Sequence, residues 1–203
     1  MNRLKKAWVW MCRFRNRKGY GVHSPSAFFF IRSVLNEKEA YYAYSELKKK
    51  RQTTLDCNLL PEKTDRLLLR LSNYLQPETM VQVGTEYPLS LEYLSRGCQK
   101  ARCTLLPKED PQGLDTALGG KPLHLFHLTA VENYQEWFEI ALPYMAEHSI
   151  MILEGIRKNR EKTAWWKTLR EREDVGLTFD LYELGLVVFD PTKYKQHYQV
   201  NFI

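Results

Sequence analysis

The stretch MVQVGTEYPLSLEYL, Met80 to Leu94, ends an apolar run in Gly84 and passes through Thr85 and Glu86 to a segment that opens as a helix. A glycine at such a strand-to-helix turn lets backbone approach a nucleotide closely, because no Cβ stands in the way. The same pattern also fits a strand that simply ends in a loop. A second polar group, Tyr20, His23 and Ser24 in GYGVHSP, offers an imidazole suited to proton transfer near neutral pH. Helix capping by Ser24, with Pro25 at the first helical position, accounts for that group more simply. His124 and His127 stand three apart in the run LHLFHL. In a strand they point to opposite faces and cannot chelate together, so both read as structural. Cys12, Cys57, Cys98 and Cys103 show neither CxxC spacing nor a nearby His, and read as free thiols in a reducing compartment.

The elements that would position these groups follow from the pattern of apolar residues. At 203 residues the chain suits one domain with a substantial core. Residues 3 to 17 can form a helix with Leu4, Trp8 and Met11 along one stripe and basic residues around it. Such a helix lies on a membrane or packs on its own domain, and the shortness of the stripe favours packing. A second short helix follows Pro25, burying Phe28, Ile31 and Leu35, and residues 41 to 51 form a third. From Pro61 to Leu75 the helical period is clear, with Leu67, Leu68, Leu71, Tyr74 and Leu75 on one face. TMVQVG, ARCTLL, LHLFHL and SIMILEG read as strands. Helices run from Pro88 to Ser95, along Tyr134 to Met145 and after Asn159. The segment from Pro107 to Pro122 is turn-rich, with little periodic pattern. LTFDLYELGLVVF reads as two strands meeting around Leu184-Gly185, too tightly joined for a crossover and therefore antiparallel. QHYQVNFI adds an edge strand or a tail. Alternation of strands and helices predicts an α/β fold with a mostly parallel sheet. The expected organisation is a basic helical N-terminal extension, 1–60, and an α/β domain, 61–203.

Charge is uneven. Residues 1–51 hold 13 Lys and Arg against three Glu, a balance of +10, whereas the remainder holds 17 against 21. A basic arm on a mildly acidic body permits contact with nucleic acid, an anionic membrane or an acidic partner, and packing on the chain's own domain is the simpler reading. No run approaches the length of a spanning helix, and the first residues lack a signal-peptide cleavage site, so a cytoplasmic protein is expected.

FRNRKGYGVHSP, EAYYAYSELKKKR, LLLRLSNYLQPETMVQVGT and LYELGLVVF resemble a bacterial O-methyltransferase-like group of the class I S-adenosylmethionine-dependent methyltransferase superfamily. The resemblance implies that superfamily's Rossmann-like sheet, ending in an antiparallel strand pair, and S-adenosylmethionine as cofactor. It places Gly84, Thr85 and Glu86 on the methionine part of the cofactor and Glu109 or Asp110 on its ribose. It also makes His23 and Glu154 the candidates for acid-base or metal-linked chemistry.

The signature departs from the family pattern at defined positions. Gln82 stands where an acid is expected and Pro88 where the second glycine is expected, leaving Gly84 alone. The stretch from Pro107 to Pro122 is too short for the helix, strand and helix that the resemblance calls for. Of the metal-holding acids only Glu154 remains, with Leu128 and Gly155 at the other positions, so no metal is expected. The reading is a methyltransferase-like protein with eroded cofactor and metal motifs, weakly active or non-catalytic. Two alternatives stay open. One is an active methyltransferase on a small-molecule hydroxyl or amine. The other is a binding module whose arm, with Arg13, Arg15, Arg17, Lys18 and Lys48 to Arg51, grips phosphates while Trp10 and Tyr20 stack. The expected partner is a small molecule or a protein, with nucleic acid disfavoured by the absence of a recognised motif.

Overall fold

The computed structural model describes residues 3–16, 19, 21–54, 58–190, 192 and 194–202. Arg17, Lys18, Tyr20 and Cys57 lie outside the described residues. Along the chain run α1 (Arg3–Cys12), α2 (Pro25–Phe30) continued by a π-type turn (Ile31–Leu35), α3 (Tyr44–Thr53), α4 (Glu62–Leu75) and β1 (Thr79–Val83). Then come α5 (Pro88–Gly97), β2 (Arg102–Leu106), α6 (Gly113–Leu118), β3 (Leu123–Leu128), α7 (Tyr134–Ala141) and β4 (Met145–Glu154). The last elements are α8 (Arg160–Glu171), β5 (Leu177–Asp180), β6 (Leu184–Phe189) and β7 (Gln196–Gln199).

The strands make one seven-stranded sheet in the order β2-β1-β3-β4-β6-β5-β7. β1 is parallel to both β2 and β3. β5 is antiparallel to β6 and parallel to β7. The mostly parallel sheet with a late antiparallel pair is therefore present as the alternating pattern predicts. Two compact units divide the chain, one of residues 38–151 and one of residues 1–37 with 152–203.

In the unit of residues 38–151, β1 is buried along its whole length, as an apolar strand with a parallel neighbour on each side must be. α4 buries Leu67, Leu68 and Leu71, while Tyr74 at its end is exposed. α4 also crosses α5 closely: a Cβ on Gly97 would stand 2.3 Å from the Leu69 carbonyl oxygen, so only glycine permits the approach. Asp65, fully buried on α4, accepts from Arg51 Nη1 at 2.5 Å and from Ser90 Oγ at 2.7 Å. The segment from Pro107 to Pro122 is not all turn. It holds α6, whose six residues are too few to show a helical period in sequence. Among the described residues no strand lies beyond β2, which forms the sheet's edge with an incompletely buried pattern.

In the unit of residues 1–37 and 152–203, Ser24 caps α2 with Pro25 in the first turn, as the sequence predicts. Asn159 likewise caps α8, its Oδ1 accepting from Lys162 N at 2.7 Å. The β5–β6 joint falls at residues 181–183 rather than at Leu184-Gly185. Tyr182 there has φ +82°, a left-handed conformation that sequence composition does not announce. It is held by Asp180, whose Oδ1 accepts from Tyr182 N at 2.9 Å, and by Arg157 Nη1, which donates to the Tyr182 carbonyl at 2.7 Å. Arg13 Nη2 donates to Asp180 Oδ1 at 2.9 Å, and both guanidinium groups lie over the Tyr182 ring. Burial raises the Asp180 pKa, but the Arg157 hydrogen bond and the two cationic charges outweigh it and hold the carboxyl below its ordinary range. Arg13 is thus a buried ion-pair partner and is not available to phosphates. α1 departs from the packed helix expected: Val9 is buried, whereas Leu4, Trp8 and Met11 are 80%, 65% and 57% exposed.

Candidate cofactor site

The C-terminal ends of β1, β2 and β3 come together in the unit of residues 38–151. In an open parallel sheet such strand ends are where ligands bind. Gly84 follows β1 with φ +100° and donates its N–H to the Leu106 carbonyl at 2.9 Å. Thr129, just past β3, donates its hydroxyl to the Val83 carbonyl at 2.7 Å. A Cβ on Gly84 would meet Thr129 Oγ1 at 2.2 Å and Glu86 Oε2 at 3.0 Å. The space that glycine leaves beside the turn is therefore filled by the chain's own side chains.

Gln82 fixes the turn from behind. It pairs in register with His127 on β3, and both are fully buried. Its Oε1, an acceptor only, takes the Nδ1 proton of His127 at 3.1 Å. Its Nε2 donates to the Tyr87 carbonyl at 2.9 Å and to the Gly84 carbonyl at 3.4 Å. The Tyr87 carbonyl also accepts from Ser90 N, in the first turn of α5, at 3.1 Å. An amide is required here because a carboxylate cannot donate to carbonyls. Gln82 thus replaces the expected acid with a clamp across residues 84–87.

The remaining predicted residues fall into two groups. Thr85 is exposed, and Glu86 pairs with Lys108 past β2, Nζ to Oε1 at 3.0 Å. The backbone N–H of Glu86 and then the Lys108 ammonium hold the Glu86 carboxyl below its ordinary value, and Glu86 raises Lys108. Glu109 joins the same ammonium at 3.9 Å and is 69% exposed. This surface network is weak and opens at little cost. Lys108 is placed by its carbonyl, which accepts from Trp137 Nε1 at 3.0 Å and from Asn133 Nδ2 at 3.1 Å. Asp110 precedes α6, its Oδ1 accepting from Gly113 N at 3.0 Å. Glu86 and Glu109 therefore meet at Lys108, with Gly84 and Thr85 on the turn that carries Glu86, whereas Asp110 serves a helix start. Sequence reasoning missed Gln82, Lys108 and Thr129. The misplaced amide at position 82 was the available signal.

Glu154 and His23 belong to the other unit. Glu154 ends β4 and is buried, while His23 is exposed beside the capping Ser24. His124 Nδ1 lies 3.1 Å from Thr79 Oγ1, so both strand histidines have structural partners. Among the described residues, no three His, Cys, Asp or Glu side chains stand together as a metal site would require. Cys12, Cys98 and Cys103 are free thiols.

The strand order and connections define the class I S-adenosylmethionine-dependent methyltransferase fold, and the chain has that fold. Solved structures agree. The chain is similar to the Podospora anserina methyltransferase PaMTH1, solved bound to S-adenosylhomocysteine, with a TM-score of 0.56, 10% identity and 97% of each chain covered. It is similar to the O-methyltransferase TomG from Streptomyces achromogenes, in complex with S-adenosylmethionine, at 0.54 and 13%, covering 75% of this chain and 91% of that one. Cofactor-bound Rv0187 from MTB matches at 0.54 and 15%, covering 81% and 96%. No protein-family model matches the sequence, and no curated protein matches it.

Proposed function

We propose that this methyltransferase-fold protein has little or no methyl-transfer activity and acts by binding a protein or small-molecule partner. One observation carries the reading: the Gly84 cradle is filled by Thr129 and Glu86, on a turn that Gln82 clamps from the buried side. On this reading Thr129, whose hydroxyl holds the end of β1, stands where the methionine end of S-adenosylmethionine would approach Gly84. The ribose end is less closed, since Lys108 and Glu109 are exposed and separable. A productive site needs both ends, because methyl transfer depends on alignment of the sulfonium with the acceptor. Arg13 and Arg51 are engaged by buried carboxylates, which removes both from the cations a nucleic-acid-gripping arm would use.

Calorimetric titration of the full chain with S-adenosylmethionine and S-adenosylhomocysteine, with and without magnesium, tests the reading. No binding at millimolar cofactor is expected. A micromolar Kd would overturn it and favour an active enzyme with a rebuilt pocket.

A further inference from the structure

The apolar stripe of α1 is largely exposed. Leu4, Trp8 and Met11 recur at i, i+4 and i+7, an arc of about 60° at 100° per residue. All three are more than half exposed, and Phe14, just beyond the helix, is 52% exposed. The helix is anchored through other groups. Val9 and Arg13 are buried, and Asn201 Nδ2 donates to the Trp10 carbonyl at 3.1 Å. The anchoring therefore holds the apolar stripe outward.

The charge around this stripe selects its partner. Residues 1–18 contain Arg3, Lys5, Lys6, Arg13, Arg15, Arg17 and Lys18, and the first acid of the chain is Glu37. Arg13 is paired with Asp180. A second copy of the chain would bring two such basic segments together, which repel. Nucleic acid would leave Leu4 and Met11 without apolar contact. A bilayer surface carrying anionic headgroups satisfies both features, taking the apolar stripe at the acyl boundary and the cations at the phosphates.

We propose that α1 is an interfacial docking helix that places this protein on an anionic membrane surface. No helix among the described residues is long and apolar enough to cross a membrane, so the contact is peripheral.

The test is flotation of the full chain with vesicles of phosphatidylcholine alone and of phosphatidylcholine with 40% phosphatidylglycerol, a composition rich in anionic lipid. Sedimentation velocity of the lipid-free protein runs in parallel. Binding to the anionic vesicles should be at least about tenfold tighter than to neutral ones and should weaken with salt. The double variant Trp8→Ser/Met11→Ser should lose at least about tenfold in partitioning with an unchanged thermal melt, because both side chains are exposed. Retained binding in the double variant would overturn the proposal, as would no flotation at millimolar lipid. A lipid-free dimer that the variant dissolves would also overturn it, by assigning the stripe to self-association.

Discussion

Gln82→Glu restores an acid at the position where the family pattern has one, so it separates two accounts of that residue. If position 82 were a ligand-facing site that had merely lost its acid, the variant would fold normally and gain affinity for S-adenosylmethionine. The structure gives the opposite expectation. The side chain is fully buried, and its amide nitrogen donates to two carbonyls, at Tyr87 and Gly84. A carboxylate withdraws both donors and turns negative oxygens toward the carbonyls, leaving buried polar atoms unmet at about 1–3 kcal/mol each. Allowing for relaxation of the turn and for the weaker 3.4 Å contact, the expected loss is about 2–4 kcal/mol. For a chain of this size that lowers Tm by about 4–16 °C. Scanning calorimetry with Gln112→Glu, an exposed position carrying the same charge change, isolates the effect of burial. A Gln82→Glu protein as stable as the control, or one that binds S-adenosylmethionine more tightly than the parent, would refute the clamp.

Two further outcomes follow from the geometry. Asp180→Asn leaves Arg13 buried without its counterion and should cost about 3–5 kcal/mol at pH 7 in urea unfolding. Because the Asp180 carboxyl titrates below its ordinary value of 3.8 in the folded protein, its contribution is present above that value and is lost as pH falls through the lower folded one. The gap between parent and variant should therefore close in acid, and a gap constant from pH 7 to pH 2 would contradict the assignment. Among the thiols, burial pushes Cys103 up to about 11, Cys98 is buried and Cys12 is exposed. Brief alkylation of the native protein near neutral pH, read by peptide mass, should modify Cys12 and spare Cys98 and Cys103 until the chain is unfolded.

The sheet was legible wherever a periodic pattern was long. α4 declares itself through five apolar residues at helical spacing, and the tight joint between β5 and β6 admits only an antiparallel pair. α6 was hidden because a six-residue helix shows less than two turns of any pattern. The position of the β5–β6 turn was hidden for a different reason. Tyr182 takes a left-handed conformation through bonds to Asp180 and Arg157, one of them 25 residues away. The departures from the methyltransferase signature could be read directly, but what replaced it could not. Gln82 gains its meaning from His127, 45 residues on, and the Gly84 cradle is filled by a threonine past a different strand. The exposed face of α1 was ambiguous in principle, because the same stripe serves a helix packed inward or one turned outward.

The pairing of Arg13 with Asp180 also sets an order of events during synthesis. The two residues are 167 positions apart, so at a ribosomal rate of 5–20 residues per second Arg13 is made roughly 8–33 s before its carboxylate. The segment 38–151 is complete before Asp180 is made, whereas the N-terminal stretch still lacks Asp180, Val200 and Asn201, to which it bonds. The growing chain thus carries Arg13 without its carboxylate until Asp180 arrives and draws it inward.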